Sequence, residues 1–66
     1  MNTIFVIVMD PAEEKKIVNE IINDRRLSYS IEILEVEGDK YTTRNNFGST
    51  IVYYKKGKNY FLEDEL

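Results

Sequence analysis

The sequence predicts an α+β domain in which one helix, in the N-terminal half, packs on a mostly antiparallel sheet of four to five strands. Three observations support this fold class. An apolar run at residues 3–9 precedes a helical pattern that starts at Asp10. After residue 28 the hydrophobic period falls from about 3.6 to about 2 residues. Single glycines then divide the rest of the chain into short segments, as turns do. The expected order is β-α-β-β-β, with one further strand in the five-stranded case.

The first two elements are predicted by residues 3–26. The β-branched and aromatic run at residues 3–9 is typical of a strand buried on both faces. Asp10 is the expected N-cap of a helix of about 15 residues, and Pro11 fits its first position. If the first strand and the strand after the helix share a sheet, the helix forms a right-handed crossover between parallel neighbours. The apolar stripe of this helix is Ile17, Val18, Ile21 and Ile22.

The second half of the chain is predicted to be a meander of hairpins. The alternation that starts near Tyr29 shifts phase at Leu34 and Val36, which indicates a β-bulge or a strand buried on both sides. The other expected features are a turn at Gly38-Asp39, a strand at 40–44, a loop at 45–48, a strand at 49–55, a turn at Lys56-Gly57 and a strand at 59–62.

Length and composition predict a single domain that spans residues 1–66. The chain has no cysteine and no histidine, which removes disulfides, thiolate zinc sites and the usual general base at neutral pH. A domain of this size buries about 60% of its unfolded surface, so oligomerisation is the remaining way to add stability. No apolar run reaches the length of about 20 residues that spans a membrane, and a cytoplasmic location is expected.

The last hairpin is predicted to be apolar on both faces. A turn at Lys56-Gly57 would pair Tyr53 with Tyr60 and Val52 with Phe61. One helix cannot cover both faces, which leaves three solutions: a small barrel, a homodimer, or a binding site for a different protein. One face would carry Ile51, Tyr53, Tyr60 and Leu62, and the other Val52, Tyr54 and Phe61.

The leading functional hypothesis is a small non-enzymatic protein-binding module, expected to form a homodimer and to need no cofactor or metal. No phosphate-binding loop, nucleophile elbow or metal-ligand spacing occurs in the chain. The Ile-, Asn- and Lys-rich composition indicates a low-GC genome such as that of a bacterium or its phage. The small size and the lack of catalytic machinery suit a phage- or mobile-element-encoded inhibitor or regulator that covers a surface of a host protein. Aromatic residues dominate interface cores. The expected partner-binding residues are Tyr53, Tyr54, Tyr60 and Phe61, with a polar rim of Arg44, Lys55, Lys56 and Lys58.

The alternative hypothesis is a module that binds single-stranded RNA or DNA through residues 40–60. This segment contains five basic residues and no acidic residue, interleaved with aromatic residues that could stack on bases. In the predicted hairpin Lys55 faces Lys58, a like-charged pair that a bound anion would relieve. A net charge of −3 and a pI near 4.8 favour the protein-binding hypothesis, since nucleic-acid binders are more often basic.

Overall fold

The structure, a computed structural model, describes residues 10–66; the strand predicted at residues 3–9 and its parallel crossover lie outside the described residues. The described chain forms one helix and one antiparallel sheet with strand order β1-β2-β3-β4, which confirms the predicted α+β class. The four described strands form an open sheet and not a closed barrel. The elements are α1 (Pro11–Arg25), β1 (Ile31–Glu37), β2 (Lys40–Asn45), β3 (Thr50–Lys56), β4 (Asn59–Phe61) and a C-terminal 3-10 turn (Glu63–Glu65).

Helix α1 begins at the predicted N-cap and has the predicted length of about 15 residues. The Asp10 side chain accepts a hydrogen bond from the Ala12 N–H at 3.1 Å, and Pro11 occupies the first turn, where its missing N–H costs nothing. Arg26 ends the helix in the left-handed conformation, with φ of 53°. The Leu27 N–H then donates to the Ile22 carbonyl at 3.0 Å, which satisfies one of the last free carbonyls of the helix.

A β-bulge in β1 explains the phase shift of its hydrophobic pattern. The register with β2 changes between Ile33 and Glu35, so one extra residue of β1 lies in this interval. As a result Ile33 and Val36 both pack on the core, although three positions separate them. Leu34 lies inside the bulge and is 44% exposed. The bulge is therefore the correct one of the two predicted alternatives.

The turn of the last hairpin differs from the prediction. The two-residue loop is Gly57-Lys58, because Lys56 pairs with Asn59, Lys55 with Tyr60 and Tyr54 with Phe61. Gly57 has φ of +63° at the first loop position, whereas the predicted loop would have placed Lys56 there. Hairpin loops of two residues need a positive φ at that position, which strains a lysine and suits a glycine. The predicted opposition of Lys55 and Lys58 is therefore wrong.

The core lies between α1 and one face of the sheet. The fully buried polar residue Thr43 donates its hydroxyl to the Ile51 carbonyl at 2.8 Å, so its burial leaves no unpaired donor. The observed pairing of β3 with β4 differs from the predicted pairing by two residues. Side chains alternate between the faces of a strand, so a shift of two residues keeps each side chain of the hairpin on its predicted face. The buried apolar residues are Ile21, Ile31, Tyr41, Tyr53 and Tyr60.

Candidate functional site

The candidate site is the outer face, the side of the sheet opposite α1. Residues directly opposite each other on neighbouring strands share a face, so the strand register defines four rows across this surface. The rows are Glu32–Arg44–Thr50, Glu35–Thr42–Val52, Glu37–Lys40–Tyr54–Phe61 and Lys56–Asn59.

An apolar strip of Val52, Tyr54 and Phe61 forms the part of the outer face near β3 and β4. Tyr54 and Phe61 are direct cross-strand neighbours, and Val52 precedes Tyr54 by two residues on the same side of β3. All three side chains are half-buried, and they lie on the side away from the core cluster that packs under α1. The two aromatic rings give this small surface most of its apolar area.

On the outer face the carboxylates of β1 lie beside the cations of β2 and β3. β1 contributes Glu32, Glu35 and Glu37, while β2 and β3 contribute Lys40, Arg44 and Lys56. Arg44 binds Glu32 through its Nε at 2.8 Å and also through its Nη2. Both side chains of this pair are about half exposed, so solvent screening leaves the pair little effect on stability. The other four charged residues of this face form no salt bridge within residues 10–66; they are Glu35, Glu37, Lys40 and Lys56.

The structure separates the eight predicted partner-binding residues. Tyr53 and Tyr60 are 2% and 1% exposed and belong to the core, so they offer no surface to a partner. Lys55 lies on the core side of the sheet, with its Nζ 5.8 Å from the centroid of the Tyr60 ring, and Lys58 lies in the exposed turn. The four residues that the structure brings together on the outer face are Arg44, Tyr54, Lys56 and Phe61.

Tyr60 is the residue through which α1 holds β4. Its hydroxyl donates to Glu20 Oε1 at 2.9 Å, its backbone N–H donates to Asp24 Oδ2 at 2.8 Å, and its carbonyl accepts from Arg25 Nη1 at 3.2 Å. Burial, together with the bond to the Glu20 carboxylate, raises the pKa of the Tyr60 hydroxyl far above its usual value. Because helix side chains occupy the outward backbone groups of Tyr60, this edge of the sheet is not free to add a strand there.

Arg25 also joins the end of α1 to the C-terminal turn. Its two guanidinium nitrogens bind the two carboxylate oxygens of Glu65 at 2.7 and 3.2 Å, and Glu65 Oε1 accepts from the Leu62 N–H at 2.6 Å. The Leu62 N–H and then the Arg25 charge lower the pKa of Glu65. No local pattern in the sequence marks this pair, since 40 positions separate its members.

The loop between β2 and β3 presents an aromatic residue that is not among the eight predicted partner-binding residues. Phe47 is 75% exposed and contacts Tyr29 edge to face, with ring centroids 5.8 Å apart. Asn45 Oδ1 accepts hydrogen bonds from the N–H groups of Phe47 and Ser49, both at 3.0 Å. An Asn two residues before an aromatic residue in a loop is the signal that could have identified this ordered tip.

The described chain has open depressions on its surface. One depression, of about 500 Å³, lies between α1 and the Gly57-Lys58 turn. Two of its carboxylates, those of Glu20 and Asp24, already bind Tyr60. Within residues 10–66 no group of acidic side chains is arranged to hold a metal ion, and no helix is long and apolar enough to cross a membrane.

Comparisons with protein-family models, with curated proteins and with solved structures find no significant match to this chain.

Proposed function

We propose that this protein is a small non-enzymatic protein-binding module whose contact surface is the outer face of its sheet. The observation that carries the proposal is the direct opposition of Tyr54 and Phe61, with Val52 beside them, on the side of the sheet away from the core. An apolar strip with a charged surround is the usual composition of a protein-binding surface.

The energetics of burial favour this use of the face. Fully burying a large apolar side chain is worth about 1.5–3 kcal/mol, so the three residues of the strip could contribute several kcal/mol to an interface. Lys40 and Lys56, which form no salt bridge within residues 10–66, would give the contact its orientation and its partner preference. Such a protein acts by covering a surface of its partner. An inhibitor or regulator of a host protein, encoded by a phage or mobile element and present in the cytoplasm, belongs to the same proposal.

Binding of single-stranded RNA or DNA is the second candidate function. The observation in its favour is the row in which Lys40, Tyr54 and Phe61 are successive cross-strand neighbours, since a cation beside two rings suits a phosphate and two stacked bases. Two observations weigh against it. Lys55 lies opposite Tyr60 and not Lys58, and Glu32 neutralises Arg44 on the same face.

Affinity capture from cell extract with matched variants tests the leading proposal. The wild type is compared with a Tyr54→Ala, Phe61→Ala double variant and with Phe47→Ala, which also removes an aromatic ring but at the loop tip. Loss of a captured protein in the double variant alone supports the outer face. Equal capture by all three proteins would place the contact elsewhere. Circular dichroism establishes that each variant is folded before it is used.

Salt dependence separates the two candidates. Binding through phosphates weakens steeply as salt rises, because counterions are released, whereas an apolar contact responds little. The leading proposal expects no salt-sensitive binding of labelled single-stranded oligonucleotides. Binding that disappears between low and moderate salt, and that Tyr54→Ala abolishes, would instead establish the nucleic-acid function.

A further inference from the structure

We infer that the partner of the outer face is a short acidic protein segment, whose apolar side chains cover the strip of Val52, Tyr54 and Phe61 while its carboxylates bind Lys40 and Lys56. This inference rests on the proposed function, because it names the chemistry of the partner for the same face. It follows from the charges nearest the strip, the occupied edge of β4 and the size of the strip.

The charged residues nearest the apolar strip are lysines. Lys40 is the direct cross-strand neighbour of Tyr54, with Cβ atoms about 5 Å apart. Lys56 follows Tyr54 by two residues on the same side of β3, about 7 Å along the strand. Glu37 lies beyond Lys40, two strand spacings or about 10 Å from Tyr54. A segment that covers the strip therefore meets the two lysines before it reaches a carboxylate of β1.

The cost of removing water from these lysines determines the charge of the partner. A partner that buries the rings also dehydrates the adjacent ammonium groups, and a buried cation without an anion is unfavourable. Neither Lys40 nor Lys56 forms a salt bridge within residues 10–66. Lys40 has the carboxylate of Glu37 opposite it, whereas the cross-strand neighbour of Lys56 is Asn59. The partner therefore has to supply a carboxylate for Lys56 above all.

Carboxylates on a protein suit this face better than the phosphates of a nucleic acid. A nucleic-acid strand carries a negative charge at every nucleotide, so its further phosphates would approach Glu35 and Glu37 on the neighbouring part of the face. A protein segment can place carboxylates at the lysines and uncharged side chains elsewhere. The net charge of −3 also repels a polyanion more strongly than a segment with two or three carboxylates.

The edge of β4 excludes one alternative way to bind such a segment. The outward N–H of Tyr60 donates to Asp24, and its carbonyl accepts from Arg25. A segment therefore cannot pair its backbone with β4 at this position, as strands do when they extend a sheet. It has to lie across the rings, with its side chains facing the strip.

The strip is small enough for a single segment to cover. Val52 and Tyr54 span about 7 Å of β3, and Phe61 lies one strand spacing, about 4.8 Å, to the side. Two apolar side chains one helical turn apart, about 5–6 Å, match that length. Such a contact buries less than the roughly 1,200 Å² of a standard stable interface, so its dissociation constant should be micromolar or weaker. A peptide can therefore stand in for the partner in an experiment.

Selection from random displayed peptides tests the inference without knowledge of the partner. Peptides of about 16 residues, a little over four helical turns, are selected on the wild type and counter-selected on the Tyr54→Ala, Phe61→Ala double variant. Circular dichroism first establishes that both proteins are folded. The peptides that only the wild type retains should combine aromatic or aliphatic residues with two or more Asp or Glu within one turn, and should carry a net negative charge.

Charge variants then show where the acidic residues of a selected peptide bind. Lys56→Glu should weaken a synthetic peptide at least about tenfold, measured by fluorescence anisotropy up to about 1 mM protein. Lys16→Glu makes the same change in net charge on the exposed side of α1 and should leave the affinity unchanged. When the acidic residues of the peptide are replaced by Asn and Gln, the difference between the wild type and Lys56→Glu should disappear, because the coupled pair is gone.

Acidic peptides that lose affinity for Lys56→Glu and keep it for Lys16→Glu would establish the inference. Selected peptides without an acidic excess, or equal affinity for the wild type and Lys56→Glu, would overturn it; if those peptides still require Tyr54 and Phe61, the proposed function stands. Failure to select any peptide that requires the two rings would also overturn it, and affinity capture then decides the proposed function separately. Salt-sensitive oligonucleotide binding, or a wild-type dimer, that Tyr54→Ala abolishes would assign the face to nucleic acid or to a second copy instead.

Discussion

Arg25 and Glu65 form a two-point ion pair, with N–O distances of 2.7 and 3.2 Å, that fixes the C-terminal turn to the end of the helix. The same guanidinium also donates to the Tyr60 carbonyl, and its Cζ lies 5.9 Å from the centroid of the buried Tyr53 ring. The end of α1, strands β3 and β4 and the C-terminal turn therefore meet at one side chain.

Glu65→Gln should make the stability of the protein depend less on pH in the acid range. The Leu62 N–H and Arg25 hold the pKa of Glu65 below its usual value, so the carboxylate favours the folded state above the usual glutamate pKa of about 4.3. That contribution is lost as pH falls from there through the lowered pKa. The thermal midpoint should therefore decrease more steeply from pH 5 to pH 2 in the wild type than in the variant. Glu63→Gln, in the same turn, is the control; parallel curves for all three proteins would remove this role.

Tyr60→Phe should lower the free energy of unfolding by about 1.5 kcal/mol, because it removes a buried hydroxyl that donates to a carboxylate while it keeps the ring. Urea denaturation measures the change. Glu20→Gln retains an acceptor and should cost less. A double-mutant cycle should show that the two substitutions are coupled; simple additivity would mean that the 2.9 Å contact contributes nothing.

Between neutral and alkaline pH the wild type should lose more stability than Tyr60→Phe does. Burial and Glu20 raise the pKa of the Tyr60 hydroxyl, so its neutral form favours the folded state. This contribution is complete below the ordinary tyrosine pKa of about 10 and is lost as pH rises above it. Stability followed from pH 8 to pH 12 should fall more steeply in the wild type. An identical slope for the two proteins would contradict the assigned cause.

Gly57→Ala should destabilise the protein by about 1 kcal/mol. A Cβ at Gly57 would meet no atom within 4 Å, so the cost comes from the backbone, whose φ of +63° strains an alanine. Gly57→Asn should cost less, since asparagine tolerates the left-handed conformation. Chemical denaturation of both variants measures the difference. Equal losses would contradict the backbone angle as the cause.

Asn45→Ala should destabilise the protein more than Phe47→Ala does. Asn45 accepts hydrogen bonds from two loop N–H groups, and their loss is expected to cost about 1 kcal/mol, while the exposed Phe47 should contribute less than about 0.5 kcal/mol to folding. Thermal denaturation gives the comparison. A larger loss for Phe47→Ala would indicate that its contact with Tyr29 supports the fold.

The sequence determined the features that depend on neighbouring residues. Asp10 and Pro11 set the start of the helix because their effects act within one turn. The sequence also predicted which side chains share a face of the last hairpin: Tyr53 lies with Tyr60, and Tyr54 lies with Phe61. Side chains alternate along every strand, so a pairing error of two residues leaves the faces intact.

Tertiary structure decided which of the two apolar faces the helix covers. Both faces carry tyrosines and branched residues, so composition alone could not place Tyr53 and Tyr60 in the core and Tyr54 and Phe61 outside it. The choice depends on contacts between distant segments, such as those of Tyr60 with Asp24 and Glu20. Contacts across 36 and 40 positions leave no periodic trace in the sequence, because each requires the chain to have folded already.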